Sequence, residues 1–261
     1  MKRSNRTAQL SALSFIVTLL ISSNAYAQDS IPAAFRDGTY FSFAGGVSNL
    51  SLYGTTLRGD GEYGDNAGRE AANVRSSGPQ YSVSVGYEFF KSASIIQGVE
   101  ASVSKFDGEH INYGLREDGA IQASVAYDQG PLLSVRSKIG VVKGGTMFFG
   151  TLGPALLMEK QTRTQYVEVS SGSASSTASF SETDTKIRYG ATMSVGVRQA
   201  IAHDWSMLFE LQYFLLAPTT YHFDDARGGL VVGAGYSSVQ GRQAESTFTN
   251  TVLLIGLTRK F

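Results

Sequence analysis

Apolar and polar positions alternate through most of the chain after residue 40, with the two-residue period of strands that meet a different environment on each face. Phe41, Phe43, Gly45 and Val47 alternate with Ser42, Ala44, Gly46 and Ser48. Tyr81, Val83, Val85, Tyr87 and Phe89 alternate with Ser82, Ser84, Gly86 and Glu88. Val99, Ala101 and Val103 alternate with Glu100, Ser102 and Ser104, and Val135, Ile139 and Val141 with Arg136, Lys138 and Gly140. Ala191, Met193, Val195 and Val197 alternate with Thr192, Ser194, Gly196 and Arg198. Trp205, Met207, Phe209, Leu211 and Tyr213 do so with Ser206, Glu210 and Gln212. Residues 147–158 are apolar on both faces. At the end of the chain Thr251, Leu253, Ile255, Leu257 and Phe261 fall on one parity, with Arg259 as the exception. These runs predict eight strands.

The connections separate a membrane barrel from a soluble sandwich, which shares the alternation. Short ones span 90–97, 142–146 and 201–204. Long polar ones span 54–79, 107 to about 130, 159–185 and 218–245, and the two kinds alternate. Four long irregular loops count against a compact soluble domain. A membrane barrel has short periplasmic turns and long outer loops. Hydrocarbon offers the backbone no hydrogen-bond partner, so the first strand must pair with the last. The expected fold is therefore an all-β, eight-stranded antiparallel up-and-down transmembrane β-barrel with long extracellular loops. The alternative is a lipocalin-like barrel with its apolar face inside. Tyr40, Phe41, Phe89, Phe90, Phe148, Trp205, Tyr213 and Phe261 are candidates for its aromatic girdles. Residues 120–127, "AIQASVAY", either extend a strand above the membrane or add one. The "SSGSASSTASFS" segment of the third long loop is of low complexity and is expected to be mobile.

The start of the chain adds a destination. Lys2, Arg3 and Arg6 precede a 12-residue apolar run, Leu10 to Ile21, and Ala25-Tyr26-Ala27 supplies an A-x-A cleavage site. The run is shorter than the ~18 residues of a spanning helix, so an uncleaved anchor is the lesser reading. Residues 1–27 are expected to be a signal peptide and 28–261 the barrel domain. The mature chain keeps 19 of 22 Lys and Arg against all 22 Asp and Glu, a net charge near −3. That balance excludes a basic nucleic-acid surface. Cysteine is absent, which leaves no disulfide staple and no lipid anchor on cysteine. Glycine is abundant, 29 residues against 5 prolines, as tight sheet bends require.

Several stretches together resemble small bacterial outer-membrane β-barrel proteins of the opacity-protein and outer-membrane-protein-A transmembrane type. They are "GVEAS" at 98–102, "SVRSKIGVV" at 134–142, "GATMSVGVRQAIAHDWSMLFELQY" at 190–213 and "NTVLLIGLTRKF" at 250–261. The resemblance covers most strands and none of the long loops. It implies the outer membrane of a Gram-negative bacterium, with outer-membrane lipid and lipopolysaccharide around the barrel. It also implies that Phe261 is a C-terminal signal read by the outer-membrane assembly machinery. The aromatic that the family often carries two residues earlier is here Arg259. The larger relatives' peptidoglycan-binding domain is expected to be absent.

Catalytic patterns are sparse. His110, His203 and His222 lie on different segments without the spacing of a zinc site. "HDWS" at 203–206 invites comparison with barrel-borne lipid A deacylases, but parity turns Ser206 toward the lumen, away from lipid. "DGEYGDN" at 60–66 lacks the ligand spacing of a calcium loop, and "GGLVVGAGY" at 228–236 lacks a dinucleotide-binding pattern. The expectation is no enzyme activity, no cofactor and no metal.

The inward parity carries the candidate site: Glu88, Glu100 and Glu210 beside Arg136, Lys138 and Arg198. Folding about residue 94 sets Glu88 and Glu100 nearly opposite each other, a repulsive pair for which Arg136 is the expected counter-ion. An eight-stranded barrel is only wide enough for side chains to fill, so these charges are expected to plug the lumen. The contrary reading leaves them at watery rims, where they contribute little. The expected function is a surface protein whose rigid barrel displays loops to host or extracellular ligands. A porin-like channel for small solutes and a receptor for a ligand such as haemin are the alternatives.

Overall fold

A computed structural model of the chain describes residues 31–58, 73–91, 94–107, 111–117, 120–171, 174–222 and 243–261. The expected signal peptide, His110, the 60–66 acidic stretch and the 228–236 glycine-rich stretch lie outside the described residues. The strands are β1 (Gly38–Arg58), β2 (Asn73–Phe90), β3 (Ile95–Phe106), β4 (Ile111–Glu117) and β5 (Ala120–Lys143). They continue with β6 (Thr146–Ser171), β7 (Ala174–Ala200), β8 (Trp205–His222) and β9 (Gln243–Lys260). All pairings are antiparallel.

β1 pairs with β2 on one side and with β9 on the other, and β3–β5 pairing completes the ring. β3 covers the lower half of β5, from Ile95↔Val141 to Ser104↔Leu132. β4 covers its upper part, from Ile111↔Tyr127 to Glu117↔Ala120. β3 and β4 therefore share one place in the wall, and the barrel has eight positions. The "AIQASVAY" segment lengthens β5 and receives β4 as its partner.

The two faces are inverted relative to a soluble barrel. Val195 is 62% and Leu253 49% exposed, whereas Arg136 is 2% exposed. Phe41, Phe89, Phe148, Trp205, Tyr213 and Phe261 point outward with them. A continuous exposed apolar face of this size belongs against hydrocarbon, and the lipocalin-like alternative falls. Tyr40 leaves the girdle set: it is buried in the lumen, and its neighbour Phe41 takes the outward place. Phe90 is half-buried and packs against the interior cluster at the end of β2.

The strands run well past the apolar band. Residues 54–58, 73–79, 128–130, 218–222 and 243–245, expected as loop, belong to strands. So does nearly all of 159–185, where β6 and β7 stay paired up to Ser171↔Ala174. Thr162–Thr183 and Thr164–Ser181 hydroxyl pairs tie this ladder together. Cross-strand Thr and Ser pairs stabilise a sheet that has water on both sides, where no apolar face is needed. The low-complexity segment thus lies on a hairpin, apart from residues 172–173 outside the described set.

The opposite end is tightly turned. β5 and β6 join through Gly144 and Gly145, with Gly144 at φ +59°, a left-handed conformation that suits glycine. A short 3-10 turn, Ala33–Phe35, precedes β1 and was not foreseen. Its Ala34 and Phe35 are fully buried in this mouth of the barrel.

Candidate functional site

The inner face is organised by strand register. One row of ladder partners runs Ser206, Thr258, Ser42, Ser84, Ser102 and Ser134 across six strands. All six are buried. Neighbours in it close hydroxyl bonds, Ser42–Thr258 at 2.7 Å and Ser102–Ser134 at 2.7 Å. The adjacent row toward the short turns runs Lys260, Tyr40, Gly86, Glu100 and Arg136. The next holds Glu88, Gly98, Lys138, Thr151 and Ser194. Large side chains stand beside glycines because the bore admits no more. A Cβ on Gly86 would lie 2.4 Å from the Tyr40 ring.

All six expected residues meet in one connected network. Arg136 donates through Nη1 to Glu210 Oε1 at 2.8 Å and through Nη2 to Glu100 Oε1. Lys138 Nζ lies 2.9 Å from Glu100 Oε2 and 3.4 Å from Glu88 Oε1. Arg198 Nη1 donates to Glu88 Oε1 at 2.8 Å. Glu88 and Glu100 are not directly opposite. Register sets Glu88 against Gly98 and Glu100 against Gly86, so the carboxylates are diagonal and Lys138 bridges them. The repulsion expected between them is thereby answered by a cation that reaches both.

Three participants were missed. Lys260 Nζ donates to Glu88 Oε2 at 3.1 Å. The Tyr40 hydroxyl donates to Glu100 and accepts from Lys138, whose ammonium also sits 4.3 Å from the Tyr40 ring centre. Arg198 Nη2 donates to the Ala34 carbonyl at 2.9 Å, and its guanidinium stacks 5.4 Å from the Phe35 ring centre. The last contact attaches the N-terminal turn to the network. Lys260 was legible, since it shares the inward parity of Val252, Leu254 and Thr258.

Nearer the long connections lies a second buried pair, Glu159 and Arg188. Arg188 also donates to the Tyr221 hydroxyl at 3.4 Å and the Ala217 carbonyl at 3.5 Å. Beside it Gln161 donates to the Tyr127 hydroxyl at 2.8 Å. The described interior is thus charged at two levels, each acid matched by base. Removing one partner of a fully buried pair costs roughly 3–5 kcal/mol, because the survivor keeps an uncompensated charge.

The His and Ser of "HDWS" do not pair with each other. His203 is exposed in the 201–204 turn, while Ser206 is buried and accepts from Arg198 Nε at 3.2 Å. His222 ends β8 opposite Gln243, far along the strand from both. Among the described residues no three metal-ligating side chains come together.

No protein-family model matches the sequence, and no curated protein matches it. In structure the chain is similar to the outer membrane protein OprG from Pseudomonas aeruginosa, at 13% identity and a TM-score of 0.46, over 87% of this chain and 97% of that one. It is similar also to Ail, the attachment invasion locus protein of Yersinia pestis, at 11% identity and a TM-score of 0.36, over 86% and 99%. Neisserial surface protein A gives 11% identity and a TM-score of 0.38, over 86% and 99%. These values are low. The barrel stands on its own strand pairings and on its inverted faces.

Proposed function

We propose that the protein is an outer-membrane barrel of a Gram-negative bacterium, exported with cleavage after Ala27, whose lumen is closed and whose role is structural or surface-interactive. The observation that carries this reading is the buried network from Arg198 through Glu88, Lys138, Glu100 and Arg136 to Glu210. Charges held this way leave no room for free ions in so narrow a bore. Ala34 and Phe35 close one mouth of it. Binding would then belong to the β6–β7 hairpin and its neighbours, which extend past the apolar band and are rich in Ser and Thr. Host surfaces, matrix or other cells are the partners of such a display. Catalysis and a resident cofactor have no place in this reading, and Phe261 serves assembly.

Single-channel recording of the protein in a planar bilayer tests the closed lumen, with no large stable conductance expected. The row of small hydroxyl residues from Ser206 to Ser134 favours a second reading, a narrow channel for small solutes, because such a row suits water. Large stable openings would establish that reading and remove the first. Binding of a candidate ligand such as haemin, lost when residues 160–185 are deleted, would separate a receptor from a purely structural barrel.

A further inference from the structure

Among the outward positions of β9 from Thr247 to Arg259, Arg259 alone is charged. Its register partners are Phe41 on β1 and Trp205 on β8. Its guanidinium carbon lies 5.6 Å from the Trp205 ring centre and 5.1 Å from that of Phe261. Both flanks are fixed: Lys260 N donates to Asp204 O at 2.8 Å, and Phe261 N donates to Thr39 O at 2.9 Å. The lumenal cations Arg136, Lys138, Arg188, Arg198 and Lys260 all have carboxylate partners. No described carboxylate forms an ion pair with Arg259.

Stacking on aromatic rings orients a guanidinium but does not neutralise it, and its N–H fork stays free. That fork matches a phosphate by parallel charge-assisted hydrogen bonds. Aromatic rings at a barrel's end sit at headgroup level, where phosphodiesters are the abundant anions. We propose that Arg259, set between Trp205 and Phe261, is a seat for the phosphodiester of a phospholipid in the inner leaflet. The inference rests on the proposed membrane-spanning barrel with this end on the periplasmic side.

Trp205 is the sole tryptophan of the chain, so its fluorescence reads the seat directly. Protein purified from membranes in maltoside detergent is titrated with phosphatidylglycerol, with diacylglycerol of the same chains, and with inorganic phosphate. Native mass spectrometry counts the lipids retained. A saturable response to phosphatidylglycerol alone is expected, with a midpoint raised about tenfold or more in Arg259→Gln. Arg259→Lys keeps the charge but loses the fork, and should fall between the two. If Arg259→Gln does not fold, the lysine variant still decides: retention equal to wild type overturns the seat. An unchanged midpoint in Arg259→Gln overturns it too, as does an equal response to diacylglycerol. A response to inorganic phosphate at the same concentration makes the site one for free anions and overturns the lipid assignment. Flotation with liposomes tests the spanning barrel separately. Protein that floats while Arg259→Gln retains lipid like wild type loses only the seat.

Discussion

Glu100 and Arg136 are direct ladder partners on β3 and β5, and their side chains close an ion pair inside the barrel. Register and electrostatics thus specify the same alignment. A slip of one residue between the two strands would turn one of the two charges into the apolar face and part the pair. Arg136 also holds Glu210 from across the lumen, so its removal takes away Glu210's ion-pair partner and leaves Glu100 to Lys138 and Tyr40. Arg136→Ala is expected to lower unfolding stability in detergent by roughly 3–5 kcal/mol, read as a fall in the urea midpoint of heat-modifiable gel mobility. An unchanged midpoint would return these charges to water.

Gly86 and Tyr40 form a pair of another kind, a missing side chain opposite a large one. Gly86→Ala places a methyl group within 2.4 Å of the ring and should cost about 1–3 kcal/mol by overpacking. Tyr40→Ala removes the obstacle, so in that background the Gly86 change should be nearly without effect. Equal costs in the two backgrounds would show that the glycine is needed for something other than room.

Leu253 lies on the outward face of β9, between Val47 and Leu211 on the flanking strands. Arginine at mid-membrane on a barrel's lipid face costs about 2–4 kcal/mol. Leu253→Arg should reduce refolding yield into lipid vesicles far more than Ser181→Arg, an exposed position on the β7 extension. Equal yields for the two variants would reject the facing of β9.

How much of this was legible depends on where hydrocarbon sits. Within the apolar band, Val85, Val195 and Leu257 face one environment and Ser84, Ser194 and Thr258 another, so the period of two reveals both strand and facing. Above the band, Thr162 and Thr183 have water on each side of the sheet. Their surroundings, residues 159–165 and 181–186, are polar throughout and read as loop although the backbone stays paired. Glu159, Arg188 and Tyr221 were missed for the same reason: Glu159 and Tyr221 fell in predicted loops, and no parity was available to bring Arg188 to them. Tyr40 was misplaced because Tyr40 and Phe41 are both aromatic, and residue type alone cannot rank them at a strand's start. The Ala33–Phe35 turn has no periodic signal at all. Its place follows from Arg198, which lies 164 residues away in sequence and donates to Ala34.

The two ends of the barrel supply the last test, because orientation follows from their unlike connections. β5 and β6 join by Gly144–Gly145 alone, while β6 and β7 pair as far as Ser171 and Ala174 at the other end. Barrels insert with their short turns toward the periplasm and their long connections outward. An epitope tag placed at Ser175 should therefore bind antibody on intact cells. The same tag placed between Gly144 and Gly145 should bind only after the outer membrane is permeabilised. Both insertions fall at hairpin tips, where added chain disturbs few contacts, and a gel-mobility shift on heating verifies that each variant has folded. Labelling of Ser175 only after permeabilisation would invert the barrel. It would put Arg259, Trp205 and Phe261 at the outer leaflet, and it would remove the β6–β7 hairpin from any role in surface recognition.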